Sequence, residues 1–578
     1  MQEIMKEHFR IITAITFAII LSLPSVAQER HFGNGNTGSQ GGSRSSNERR
    51  DPPPPQSGTP QMSGDMLVLR TRKAGEMRNL ISGDARRQVR RLVVEGSINR
   101  DDLRIIDDIC DRSTCRDSRG RTVENYLDLD LSRAQITYPK RDVLPEGIFS
   151  GNSHLRSIIL PTYLVEIGQR AFSSCSKLDR VEMPGGLQQI DDYAFRNCTK
   201  LSSVRLPDRL DAIGTGAFSD CTSLSRVILP PGLRVIGSEA FMNCPITQIR
   251  FPLQLEFLGN NSFSGTQISE LNIPRGTRID GTPGNNPHLQ AVNIEEGHPE
   301  LSSEDGILYS NRGTTLVMVP GGLSGNIAIP EGVTGIGAYA FSHSRMSRID
   351  IPSTVTLIGE GAFYGCTNIL SLTIPAGVRN IPAHCFDECK QLQSVDLPRS
   401  LTTIGAYAFR ECRQLSGISL PPSLTSIGKY AFQECNSIAS LTVPGGVAEL
   451  PEGCFRNCNG MSTARLSPGV RKIGEEAFRG CLALTEIQLP NTLVSIGDES
   501  FRSCSALQEI ILPESLGEMG SKPFTKCELL HRVKCLSIIP PSGKSTGCEK
   551  ALLIVPRGSI SSYKKASGWK KHKQITEE

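Results

Sequence analysis

The stretch Leu392-Gln393-Ser394-Val395-Asp396-Leu397-Pro398, continued through Leu401, Ile404-Gly405, Ala408-Phe409 and Cys412, decides the fold. Leu392, Val395 and Leu397 predict a short strand with one buried face, which Pro398 ends because proline has no N–H to give a ladder. Leu401 and Ile404 predict a second short extended piece, and Gly405 is read as the residue that lets the chain turn through positive φ. Ala408-Phe409 then drives one large ring inward beside a small neighbour.

The unit recurs along the chain. Phe149, Phe172, Phe195, Phe218 and Phe241 are 23 residues apart, and Phe263 follows after 22. After a gap the series resumes with Phe341, Phe363, Phe386, Phe409, Phe432, Phe455, Phe478, Phe501 and Phe524 at the same spacing. A unit this short cannot bury its own apolar face, whereas stacked copies bury one continuous core. Period and leucine spacing predict a repeat solenoid of leucine-rich-repeat type, with mostly short parallel β-strands about 4.8 Å apart joined by turns.

Composition agrees with an array. A chain of 578 residues exceeds the usual size of one compact core, and 5% aromatic content with a single tryptophan argues against a large aromatic-centred enzyme core. The 55 glycines and 36 prolines imply a turn-rich fold. A net charge of +4, from 63 basic and 59 acidic residues, lacks the excess of a dedicated nucleic-acid binder, so no nucleic acid is expected as a partner.

The N-terminus predicts export. Lys6 and Arg10 precede an apolar run from Ile11 to Leu23, and Pro24-Ser25-Val26-Ala27 supplies the small residues of a cleavage site, so residues 1–27 read as a signal peptide. That run is too short to span a bilayer and no later stretch is long enough, so the mature chain is expected to lack a transmembrane segment. Residues 28–62, rich in Gly, Ser and Pro, read as a disordered linker. Gly33, Gly35 and Gly38 have dinucleotide-motif spacing, but no strand precedes them and no helix follows. Gly543-Lys544-Ser545-Thr546 lacks the first P-loop glycine, because Ile538 stands there.

The I-x-L-P, I-G-x-x-A-F and F-x-x-C elements resemble the BspA-like leucine-rich repeat family of bacterial surface and secreted proteins over roughly 149–530. Arg91-Leu92-Val93-Val94, the segment from Asn99 through Cys110 and Tyr126–Leu131 resemble that family's N-terminal cap, a small α/β module; Ala551–Gly558 with Tyr563 and Trp569 resembles its C-terminal cap. The expected organisation is an N-terminal capping module over 63–145, leucine-rich repeats over 146–263, irregular repeats with an inserted β-hairpin over 264–340, leucine-rich repeats over 341–530 and a C-terminal capping module over 531–578. The hairpin is read from Asp305-Gly306 and Asn311-Arg312-Gly313. The resemblance implies an exported protein of the cell surface, periplasm or medium that adheres to host matrix or cell-surface proteins. The alternative is an envelope scaffold that binds other bacterial proteins.

Position in the repeat sorts the 18 cysteines. Cys175, Cys198, Cys221, Cys244, Cys366, Cys389, Cys412, Cys435, Cys458, Cys481, Cys504 and Cys527 each follow an anchor phenylalanine by three residues and read as a structural ladder of buried thiols. A disulfide ladder stays open on distance, although parallel side chains seldom reach the required dihedral. Cys385 and Cys454 replace the small residue before phenylalanine. Cys110 and Cys115 in one cap, and Cys535 and Cys548 in the other, are candidates for local disulfides. No metal site is expected, because no histidine pairs with a cysteine at ligand spacing.

Catalytic motifs are missing, so no catalytic residue and no cofactor is expected and the chain is read as a binder rather than an enzyme. The residues flanking the buried position of each first strand point to solvent. Arg180, Glu182, Arg205, Arg226 and Arg250 form the candidate binding set, a basic patch suited to carboxylates on a protein partner; a solvated face without a partner is the other reading.

Overall fold

Two ladders of short parallel strands run through the repeats, and their register equals the sequence period. In the turn around Phe409, Ser394–Asp396 is the first strand and Val395 its buried residue; Thr403–Ile404 is the second, with Ile404 inward. Val395 lies opposite Leu372 and Ile418, and Ile404 opposite Ile381 and Ile427. The result is a parallel β-solenoid of about 21 turns with very little helix. The computed structural model describes residues 60–80, 89–111, 115–116, 122–123, 126–138, 140–310 and 312–578. The expected signal peptide and most of the linker lie outside them. The linker's last residues are paired, since Gln61–Ser63 runs antiparallel to Met66–Thr71. Among the described residues no helix is long and apolar enough to cross a membrane.

The third side of each turn is a corner built on Ala-Phe. Here the Phe409 N–H donates to the Ala431 carbonyl at 2.8 Å, and the Glu411 N–H to the Gln433 carbonyl at 2.8 Å. The phenylalanine rings stack in two columns, 149–263 and 341–524, with centroids 5.0–5.5 Å apart. Such stacked pairs add about 0.5–1.5 kcal/mol each beyond the area they bury.

The corner corrects one expectation. Gly405 does not adopt positive φ; the left-handed residues of its turn are Tyr407 and Glu411, at φ 57° and 57°. Glycine is required at 405 for space: a Cβ there would stand 2.4 Å from the Ala383 nitrogen and 2.5 Å from the Pro382 carbonyl carbon of the preceding turn. The residue two before the phenylalanine is left-handed in other turns too, as at Arg170, Glu239 and Glu476, and the Tyr407 ring stacks between His384 and Tyr430 at 4.9 and 5.4 Å.

Both ends are covered. Arg91–Asn99 and Leu127–Tyr138 continue the first ladder beyond the repeats, so the N-terminal cap and the array share one sheet. The helix Arg100–Asp111 opens on a reciprocal cap: Asn99 Oδ1 accepts the Asp102 N–H at 3.0 Å, and Asp102 Oδ2 accepts the Asn99 N–H at 3.0 Å. Fully buried Asp102 also accepts the Gly75 and Met77 N–H groups, tying the helix to the loop before it. At the other end Leu552–Val555 and Ile575–Glu577 extend the ladder. Trp569, fully buried, donates to the Pro541 carbonyl at 2.8 Å.

The irregular region holds a three-stranded meander. Leu301–Glu304 pairs antiparallel with Ile307–Ser310, which pairs antiparallel with Thr315–Met318; Asp305-Gly306 turns the first hairpin with both residues at positive φ. Thr315–Met318 then joins the second ladder in parallel with Gly335–Ile336. The apolar core divides here. Leu308 and Met318 pack with the N-terminal core, while Ile307, Tyr309 and Leu316 pack with the C-terminal one.

Candidate functional site

The thiol column and the exposed strand face are the two repeated features that carry chemistry. Each ladder cysteine donates its S–H across to the preceding turn. Cys412 Sγ reaches the Phe386 carbonyl at 3.1 Å, and the same oxygen accepts the Cys389 backbone N–H at 3.1 Å. The pattern repeats from Cys175 on the Phe149 carbonyl to Cys527 on the Phe501 carbonyl. All twelve are free and buried, so the column is hydrogen-bonded thiol rather than a disulfide ladder. Burial pushes Cys366, Cys481 and Cys527 up to about 12, which holds them neutral and unreactive. Cys385 and Cys454 are fully buried at the small-residue position.

The disulfide expected in the C-terminal cap is corrected. Cys535 and Cys548 are both free. Cys535 ends the strand Arg532–Cys535 with its sulfur under the Tyr563 hydroxyl at 3.1 Å, while Cys548 follows Thr546, whose Oγ1 accepts the Cys548 N–H at 3.4 Å. Each thiol is packed into its own surroundings. The side chains of Cys110 and Cys115 lie outside the described residues.

The strand face presents two columns of outward side chains. Register places Ser157, Arg180 in one column and Ile159, Glu182 in the other; in the next pair of strands Ser203, Arg226 and Arg205, Ile228 follow. The arginines therefore alternate with Ser, Glu and Ile instead of forming an unbroken basic strip. Arg250 departs from expectation. It is exposed but lies outside any strand, in a turn one residue shorter than its neighbours where Pro245 follows the cysteine.

Ion pairs occur on the strand face as well as at the Ala-Phe corner: on the face Arg348 bonds to Asp350 at 2.8 Å and Arg532 to Glu509 at 3.4 Å. At the corner, Arg410 bonds to Asp387 at 2.7 Å, Arg413 to Glu434 at 3.1 Å, Arg456 to Glu476 at 2.8 Å and Arg502 to Glu499 at 2.7 Å. Among the described residues, Arg180, Arg205 and Arg226 on the strand face have no such partner.

Farther along the same face a groove of about 870 Å³ crosses the turns between Ile418 and Gln488. Ser419, Ser440, Thr442, Thr463, Arg465 and Glu486 line it. Arg465 is not among the residues expected from sequence. Its strand, Thr463–Leu466, carries Ala464 where other repeats carry Val, Ile or Leu, which masks the signal; counting 23 residues on from Thr442 reaches it directly.

With this geometry in hand, comparison with known proteins is informative. The chain matches the pattern of the BspA type leucine rich repeat region, in 6 copies, over residues 142–275, 324–439 and 425–540. No curated protein matches it. Among solved structures, a leucine-rich repeat protein from Bacteroides ovatus is similar at 22% identity, covering 73% of this chain and 92% of that one with a TM-score of 0.36. The pneumococcal vaccine antigen PcpA is similar at 16% identity, covering 90% and 98% with a TM-score of 0.36. The T. pallidum leucine rich repeat protein reaches 34% identity over 28% of this chain and 77% of its own, with a TM-score of 0.26. Since the matched segments span more than half of its length, the chain belongs to the BspA-type leucine-rich-repeat family.

Proposed function

We propose that this chain is an exported scaffold that binds protein partners through the exposed face of its first strand ladder, in adhesion to host matrix proteins or to other cells. One observation carries the reading: Arg180, Arg205 and Arg226 have no carboxylate partner among the described residues, unlike Arg348 and Arg532 farther along the same face. An exposed arginine keeps its planar fork of donors available for a partner's carboxylate. Parallel strands stacked in register hold these forks at fixed spacing, so recognition needs little ordering of the scaffold on binding. Export is supported by Lys6, Arg10 and the apolar run that ends before Pro24-Ser25-Val26-Ala27. The role is binding, and no reaction is assigned.

The test uses the chain from residue 28 onward against immobilised matrix proteins, host cells and the envelope fraction of its own cell. Binding to matrix or cells that falls at least about tenfold in the Arg180→Glu, Arg205→Glu, Arg226→Glu triple variant supports the reading. Unchanged binding by the variant refutes it, and capture of envelope proteins alone favours the scaffold role.

A further inference from the structure

The strand face forms a groove between Ile418 and Gln488. Its outward positions form two columns, Ser440, Thr463, Glu486 and Thr442, Arg465, Gln488. Ser419, Pro422, Pro444 and Gly445 also line it.

Two observations mark the groove as a recognition surface. Ser and Thr side chains elsewhere in these same turns spend their hydroxyls on bonds between turns: Thr425 donates to the Thr402 carbonyl at 3.1 Å, Ser462 to the Ala439 carbonyl at 3.0 Å and Thr485 to the Ser462 carbonyl at 3.1 Å. Among the described residues, the hydroxyls of Ser419, Ser440, Thr442 and Thr463 have no protein partner and face solvent. Arg465 is exposed and likewise outside any ion pair among the described residues, although the next arginines along the chain at the corner, Arg479 and Arg502, are held by Glu476 and Glu499. The one carboxylate in the groove, Glu486, accepts the Gln488 amide at 2.9 Å and lies a turn away from the Arg465 column position.

We infer that this groove receives an extended acidic segment of a protein partner, with a partner carboxylate on Arg465 and the partner's backbone amides and carbonyls on the surrounding hydroxyls. With Glu486 balancing Arg465, the groove has no net charge, and its selectivity rests on a single carboxylate of the occupant meeting that arginine. Arg465 is the groove's only cation, and a guanidinium binds a carboxylate through two parallel bonds. Serine and threonine hydroxyls, being both donors and acceptors, match an extended backbone. Aromatic rings are missing from the lining, so the groove offers no platform on which a sugar ring would stack. This inference rests on the proposed protein-binding role and adds a second contact region, far along the ladder from Arg180, Arg205 and Arg226.

The test pans a displayed library of random 12-residue peptides against the immobilised chain from residue 28 onward. Selected clones are remeasured against Arg465→Gln and, separately, against the Arg180→Glu, Arg205→Glu, Arg226→Glu variant. The expected result is enrichment of Asp- or Glu-containing clones whose affinity falls about tenfold or more with Arg465→Gln, while the triple variant binds them unchanged. Arg465→Lys, which keeps the charge and loses the fork, should recover part of the affinity. A selection that yields no clone dependent on Arg465, or acidic clones that bind Arg465→Gln as well as wild type, overturns the inference. So does Arg465-dependent binding of a heparin-derived oligosaccharide in place of the peptides, which would assign the groove to sulfated glycans. Loss of acidic-clone binding in the triple variant with Arg465→Gln silent would instead leave the proposed N-terminal face standing alone. Unchanged thermal unfolding of Arg465→Gln establishes that its effect is local.

Discussion

Gly428→Ala should cut through one inter-turn seam of the solenoid. An added Cβ would lie 2.2 Å from the Ala406 nitrogen, 2.4 Å from the Gly405 carbonyl carbon and 2.6 Å from the Ala406 Cα, all of them backbone atoms that no rotamer change can move. Relief requires the two turns to part by about 1 Å at this corner, which carries bonds such as Gly428 N–H to the Ile404 carbonyl at 2.8 Å, Tyr407 N–H to the Lys429 carbonyl at 3.0 Å and Phe409 N–H to the Ala431 carbonyl at 2.8 Å. Losing two of these at about 1 kcal/mol each, with about 1–3 kcal/mol of packing strain, gives a destabilisation of about 3–5 kcal/mol. Gly332→Ala is the control, because its Cβ meets nothing within 4 Å and its φ is ordinary. That change should be neutral or stabilise by up to about 1 kcal/mol through the unfolded chain. Urea unfolding followed by far-ultraviolet circular dichroism measures both, and amide exchange should show the opening confined to the turns around 405–431. If Gly428→Ala lies within about 0.5 kcal/mol of Gly332→Ala, the assignment of this glycine to close approach is wrong.

Lys526, exposed and outside any ion pair among the described residues, is left-handed at φ 61°, so Lys526→Gly should raise stability by about 0.5–1 kcal/mol in the same urea assay. Asp191 stands where Gly405 stands in its own turn, and burial together with neighbouring Glu166 pushes its carboxyl up to about 6. A folded value above the unfolded one of about 3.9 means that its stabilising contribution is complete below pH 4 and is lost as pH rises through 6. Asp191→Asn should therefore flatten that decline and stabilise at pH 7.5 by about 1–2 kcal/mol after allowance for its partial exposure, read from unfolding at pH 4.5 and 7.5. In a Cys110→Ser, Cys115→Ser background, a thiol reagent at pH 8 should label the folded chain at a rate set by opening of the turns, then react fully in denaturant; fast stoichiometric labelling of the native state would contradict the buried, raised-pKa column. Leu308→Asp should destabilise the N-terminal core before the C-terminal one, so exchange protection should fall around Phe241 while Phe432 keeps its own; equal loss in both would show a single cooperative core.

The ladders and the column of phenylalanines were legible in the sequence because each follows from a period that a single turn repeats. Leu392, Val395 and Ile404 announce burial by spacing alone, and the cysteines share one environment because they share one position. What escaped was contact between turns. Gly405 was read as a freely turning residue, since nothing within its own 23 residues shows the Ala383 backbone pressing on it from the turn before. The left-handed position two before the phenylalanine carries Arg170, Tyr193, Glu239, Tyr407 and Lys522 alike, so no residue type announces it. The groove at Arg465 went unseen for a related reason. Ala464 weakens the apolar signature of its strand, and unbonded hydroxyls are recognisable only once their bonded neighbours have been located.

The meander at 301–318 gives the solenoid something a uniform stack lacks. With Leu308 and Met318 on one side and Ile307, Tyr309 and Leu316 on the other, it serves as a bulkhead between two separately closed interiors. A chain that tethers two bodies is loaded along its length, and an uninterrupted stack that begins to peel has no place to stop. Here peeling that starts at either end reaches a boundary where one apolar interior closes before the next begins.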